Sequence, residues 1–184
     1  MTPLATLVEV TTTYVHLLTP AHFRPALASD PDLLVLESHE PQVAFYRFLY
    51  DYVGRDYNWT SRLTWSDERL REHLARPAVT LLPFYVRGTP AGYIELDAAP
   101  EGDEGPGTEI VHLGLNPAFH GRGLGKHLLS VGVARAFADG ASRVWLHTCT
   151  LDGPHALANY QARGFIPYRT TTEMESLGSA ASVE

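Results

Sequence analysis

The run GLNPAFHGRGLGKHLL, residues 114–129, sets three glycines and two cations within positions 121–126 and then continues into apolar residues at helical spacing. Glycines let a backbone approach a ligand closely, and the free amides at a helix N-terminus bind anions, so this stretch suits a pyrophosphate. Two familiar nucleotide loops do not fit it. The P-loop pattern needs glycine where His120 stands and Ser or Thr where His127 stands. The dinucleotide fingerprint needs a third glycine where Lys126 stands. A tight turn with glycines chosen for positive φ is the competing reading of the loop taken alone. His147 and Cys149, two apart on an expected strand, could share a face, but no third ligand follows at metal-site spacing, and no metal is expected.

The elements around the loop follow from local pattern. TLVEVTTTYVHLL (6–18) is β-branched and partly alternating, which predicts a strand, and LLVLES (33–38) predicts a short one. EPQVAFYRFLYDYVG (40–54) predicts a helix ending at Gly54, with Phe45, Phe48, Leu49 and Tyr52 expected in the core. SDERLREHLARP (66–77) predicts a second, N-capped by Ser66 with acidic residues in its first turn. VTLLPFYVRG and PAGYIELDAA form a hairpin joined at Gly88-Thr89-Pro90, and the polar loop PEGDEGPGT leads to the strand EIVHLGLNP. A long helix follows the glycine loop, with Leu124, Leu128, Val131, Ala134 and Arg135 near one face. Then come a strand (RVWLHTC), a helix (PHALANYQAR) and a closing strand (GFIPYRTTTEME). The expected fold class is α+β, a mostly antiparallel sheet flanked by helices.

At 184 residues with 45% hydrophobic residues, the chain suits one domain with a substantial core. This places a single domain over 1–175 and a disordered polar tail over 176–184. Fourteen Lys and Arg against 21 Asp and Glu give a net charge of −7, which argues against nucleic-acid binding and mildly favours cationic substrates. The single Cys149 rules out an internal disulfide, and the N-terminus lacks a signal-peptide pattern, so a cytoplasmic setting is expected. No apolar stretch approaches the ~18 residues that span a bilayer, so no membrane partner is expected.

HGRGLGK after EIVHLGLNP, with ALANYQARGF some thirty residues on, resembles the GCN5-related N-acetyltransferases (GNAT) over roughly residues 66–170. The family loop is usually Gln/Arg-x-x-Gly-x-Gly/Ala; Arg122, Gly123 and Gly125 are kept, and His120 takes the first position. The resemblance implies acetyl-CoA as co-substrate, its pyrophosphate held by His120, Gly121, Arg122, Gly123, Leu124, Gly125 and Lys126. It also implies that the backbone of Leu113, Gly114 and Leu115 pairs with the pantetheine arm like an added strand. In the second motif Ala156, Tyr160 and Gly164-Phe165 survive, whereas Gly153 replaces the usual asparagine and Asn159 the leucine. Asp152 or Asn159 would then supply the missing coenzyme contact. Tyr160 matches the tyrosine that protonates the departing thiolate, its competing role being packing of the helix.

Acetyl transfer to an amine needs a proton acceptor, because an ammonium has no free lone pair. Glu109, fourteen residues before Gly123, has the spacing of the glutamate base in the histone-acetylating branch and ranks first. Glu95 in GYIELD ranks second and His112 third. Glu109 and His112, three apart, should project from opposite faces of an ideal strand. The elements over 1–65 are expected to shape the acceptor side. Tyr57, Trp59 and Trp65, with His112, are the candidate substrate-binding residues, because aromatic walls attract a cationic amine. The expected activity is direct acetyl transfer from acetyl-CoA to an amine of a small molecule or peptide. A non-catalytic (acyl-)CoA sensor is the alternative, and a structural partner protein the remote one. The acyl length, the acceptor and a homodimeric state stay open at this level.

Overall fold

The structure, a computed structural model, describes residues 6–57, 59–101 and 104–177. The expected tail falls mostly outside these residues, and the last strand runs through Leu177. Seven strands form one mixed sheet: β1 (Thr6–Leu17), β2 (Leu33–Val35), β3 (Val79–Val86), β4 (Thr89–Asp97), β5 (Thr108–Leu115), β6 (Val144–Cys149) and β7 (Ile166–Leu177), in the order β2-β3-β4-β5-β6-β1-β7. Every neighbouring pair is antiparallel except β5 and β6, which run parallel.

Helices α1 (Val43–Gly54) and α2 (Asp67–Leu74) cover one face of the sheet, and α3 (Leu124–Ala138) and α4 (Ala156–Ala162) the other. The expected α2 cap is present: Ser66 Oγ accepts the Arg69 N–H at 3.2 Å, with Asp67 and Glu68 in the first turn. Of the four residues expected in the α1 core, Leu49 is fully buried and Phe45 and Tyr52 pack against the core half-buried, but Phe48 is 47% exposed and stacks on both; the fully buried stripe is Tyr46, Leu49, Tyr50 and Val53, at i, i+3, i+4 and i+7. Both faces of α1 are aromatic, so composition could not say which one meets the sheet. α3 likewise buries Leu124, Leu128, Leu129, Val133 and Ala136 rather than Val131, Ala134 and Arg135, because a helix apolar nearly all round carries no narrow stripe for the sheet to select.

β1, first in the chain, lies between the last two strands, β6 and β7. The segment after it crosses the turn between α4 and β7, where Arg24 N–H donates to the Arg163 carbonyl at 3.0 Å. Gly164 makes that crossing possible: its φ is +101°, and an added Cβ would lie 2.1 Å from the His22 carbonyl oxygen. Gly164→Ala combines backbone strain with a backbone clash, each costing about 1–3 kcal/mol. It should lower the melting temperature by roughly 2–4 °C per kcal/mol, measured by thermal unfolding; an unchanged midpoint would mean that the crossing does not pack as described.

Candidate active site

β5 and β6 are paired only at Thr108 with Val144 and Glu109 with Trp145. Beyond these pairs the strands diverge, and the cleft between them opens into a cavity of about 990 Å³, walled by β5, the glycine loop, β6, the start of α4 and residues from the α1–α2 connection. Gly114 turns its backbone groups toward Tyr93 of β4, whereas those of Leu113 face the β6 side and are left without a strand partner among the described residues.

The glycine loop sits at one end of this cleft. Asn116 Oδ1 accepts the Ala118 N–H at 3.1 Å and starts a short helical turn, Pro117–Phe119, that brings the chain round to α3. Gly121 and Gly123 have φ of +72° and +69°, and Gly123 is an N-cap with no side chain to occupy the first amides of α3. The first turn of that fifteen-residue helix carries Lys126 and no acidic residue. Free amides, an exposed cation and the positive end of the helix dipole together fit a pyrophosphate. Gly121, Gly123, Leu124, Gly125 and Lys126 line the cavity; Arg122 is exposed and lies outside its wall. The His120 ring turns inward, Nε2 standing 3.0 Å from the Leu115 carbonyl and 2.7 Å from the Tyr57 hydroxyl. Tyr57 thereby spans the cleft, since its ring also approaches Gly153 at the start of the α4 loop.

On the β6 side, the Asp152 carboxylate accepts from Thr148 Oγ1 at 2.7 Å and from the Cys149 N–H at 2.9 Å, closing the turn that leads to α4. Asp152, Asn159 and Tyr160 all line the cavity. Tyr160 is 7% exposed and packs edge-on to Phe165, so it anchors α4 and faces the cleft at once. Burial, then the charge of Asp152 and the nearby Tyr57, raises its hydroxyl well above the usual tyrosine range. It is neutral at physiological pH and has a proton to give.

The other wall holds the acid–base candidates. Glu95 pairs with His112 and Leu96 with Ile110, leaving Val111 as the extra residue of a β-bulge. The extra residue shifts the alternation of β5 by one, so Glu109 and His112 share a face with Glu95 and Asp97, contrary to the ideal-strand expectation. Glu95 is fully buried and gathers four partners: Tyr46 Oη donates to Oε2 at 2.7 Å, His73 Nε2 lies 2.7 Å from Oε1, His112 Nδ1 lies 3.2 Å from Oε2, and the Arg62 guanidinium is 3.6 Å away. Burial alone would raise its carboxyl, but the hydrogen bonds from His112 and His73 and the charges of His112 and Arg62 hold it well below the usual carboxylate range. Tyr46, His73 and Arg62 carried no signal in the sequence, because only the tertiary fold brings α1, α2 and their connection to β4.

His112 lines the cavity, clamped by Trp59 at 4.9 Å and by the edge of Tyr50 at 5.2 Å between ring centroids. Tyr57 and Trp59 also line it. Trp65 does not; it lies between the guanidiniums of Arg62 and Arg69, each 3.8 Å from its ring. Glu95 and Glu109 stand outside the cavity wall. The nearest cation-forming group to Glu109 is His147 at 3.8 Å. Burial, then repulsion from Asp97 and Glu95, pushes the Glu109 carboxyl up to about 7. Among the described residues no group of three His, Cys, Asp or Glu is arranged to hold a metal ion, and no described helix is long and apolar enough to cross a membrane.

Because Glu109 holds its proton more tightly folded than unfolded, its contribution to stability is full below its ordinary 4.5 and is lost as pH rises through about 7. Glu109→Gln should match the wild type in denaturant unfolding near pH 4.5 and exceed it at pH 8 by on the order of 3 kcal/mol. A variant less stable than the wild type at pH 8 would contradict this environment.

The model of the acetyltransferase (GNAT) family matches residues 46–165. No curated protein matches the sequence. Among solved structures, a GCN5-related N-acetyltransferase from Kribbella flavida superposes with a TM-score of 0.63 at 16% identity, over 96% of this chain and 62% of that one. One from Sphaerobacter thermophilus gives 0.63 at 14% identity, over 95% and 53%. An aminoglycoside acetyltransferase from an uncultured soil metagenomic sample gives 0.60 at 16% identity, over 73% and 88%. The chain therefore spans under two thirds of the length of the first two, and the likeness is one of fold.

Proposed function

The chain belongs to the GNAT acetyltransferase family, and on that premise we propose that it moves an acetyl group from acetyl-CoA directly to an amine within a ternary complex. One observation carries this reading: a single cavity joins the uncapped N-terminus of α3 to Tyr160 across the divergence of β5 and β6. The amides of 121–126 with Lys126 would hold the pyrophosphate, and the unpaired edge of β5 at Leu113 would take the pantetheine arm as a strand. Tyr160 would give its proton to the departing thiolate. That transfer matters because a thiolate leaves more readily as its charge is neutralised. Trp59, Tyr57 and Asp56 wall the side facing α1 and favour a cationic acceptor. The same proposal takes the chain as one domain, with the elements before α2 shaping the acceptor side and the core from α2 onward carrying the coenzyme site.

Incubation with acetyl-CoA and a panel of amines should release free thiol and yield the N-acetyl product; no product with any amine, despite coenzyme binding, would overturn the reading. Coenzyme A at about 100 times its Kd should stabilise the protein by roughly 2.7 kcal/mol. Gly123→Glu, which sets a carboxylate in the anion's approach, should abolish that shift. Gly123→Ala controls for backbone strain and should keep most of it; equal shifts in all three proteins would remove the loop from the site. Tyr160→Phe should bind coenzyme A normally and lose turnover, whereas full activity would confine Tyr160 to packing α4.

A further inference from the structure

The proposed reaction requires a proton acceptor facing the acetyl group, and the sequence offers three candidates on one face of β4 and β5. Only His112 lines the cavity. Its Nδ1 lies 3.2 Å from Glu95 Oε2, and no other protein partner of the ring nitrogens stands among the described residues, so Nε2 on the far side of the ring is left to the cavity. We propose that His112, through Nε2, takes the proton from the attacking ammonium, and that Glu95 is the positioning residue that fixes its tautomer and orientation.

The arrangement behind His112 supports this division. A carboxylate accepts and does not donate, so the ionised Glu95 requires the proton on His112 Nδ1 and leaves the Nε2 lone pair free. Three further groups occupy Glu95: Tyr46, His73 and Arg62. A fully buried carboxylate engaged four ways and outside the cavity wall cannot reach an amine, but it can stabilise the imidazolium that forms next to it. Trp59, Tyr50 and Tyr93 pack the ring from three sides and fix its plane. The titratable and charged groups around it are Glu95 and Tyr93 from β4, Tyr50 from α1 and His147 from β6, with Glu109 on the same face of its own strand; Arg62, His73 from α2 and Tyr46 from α1 share its Glu95 partner.

The proton and electron account closes. His112 Nε2 removes one proton from R–NH3+, the freed lone pair forms the N–C bond to the acetyl carbon, and the C–S bond breaks with its electron pair going to sulfur. The acylated nitrogen releases its second proton, which passes through solvent to the Tyr160 phenolate and replaces the proton that Tyr160 gave to sulfur. The products are the amide, the thiol and a proton that His112 returns to solvent.

This assignment rests on the acetyl-transfer reading, and its test separates the two. His112→Asn should keep the coenzyme-induced melting shift and lose about 100-fold or more in kcat/KM for an alkylamine at neutral pH. The deficit should shrink as pH rises, and it should be small for an arylamine, which is already unprotonated. A loss that is equal for both acceptors and flat with pH would make His112 structural and overturn the proposal, as would no loss at all. Independently of activity, nitrogen-15 NMR of the wild-type protein should show the neutral ring protonated at Nδ1, and Glu95→Gln should weaken that preference. A ring protonated at Nε2 would overturn the proposal even if the variants failed to fold. A wild type that binds coenzyme A yet acetylates neither acceptor would overturn the acetyl-transfer reading and this assignment with it.

Discussion

Two parallel strands joined at one end only are the constraint from which the site follows. β5 is held along its length by β4, and β6 by β1, so each half of the sheet is held together from its outer side while the edges that face each other stay unpaired past the shared residues. Thr108 and Glu109 pin the halves together, and past that point they separate. The crossover through α3 returns the chain from β5 to the parallel β6 and leaves the α3 N-terminus over the opening. The positive end of a helix, an unpaired strand edge and the α4 tyrosine thus converge without any residue being strained to reach the others, apart from the left-handed glycines of the loop.

The wall facing α1 depends on a different interaction. A buried carboxylate is costly unless its acceptor sites are filled, and Glu95 fills them with side chains from α1, α2, their connection and β5. The packing of α1 and α2 on the sheet and the placing of His112 in the cavity are therefore one event. The second core, built from Tyr46, Leu49, Tyr50, Val53, Leu70, Leu74, Leu81 and Tyr93, surrounds that carboxylate and keeps water from it. Tyr57 extends the same connection across the cleft to His120, so the acceptor side and the coenzyme side are braced against each other.

Local signals carried much of this in the sequence. The glycine loop, the Ser66 cap and the hairpin at Gly88 depend on residues close in the chain, and the periodicities of β3–β5 placed the central strands. What was not legible depends on distant partners. The bulge at Val111 is set by pairing with β4, and without it Glu109 and His112 read as opposed. The place of β1 between β6 and β7 is fixed by which strand edges the first half leaves open, which no local pattern records. On α1 two aromatic faces compete and only the sheet decides between them. Trp65, an aromatic near the expected pocket, is claimed instead by Arg62 and Arg69, a pairing invisible until α2 has docked.

The central claim is that the divergence of β5 and β6 is the coenzyme cleft, and amide hydrogen exchange with and without coenzyme A tests it most directly. The account predicts added protection at residues 113–115 and 121–126, with the β1–β7 ribbon unchanged. Protection confined to other elements, or none at saturating coenzyme, would contradict it.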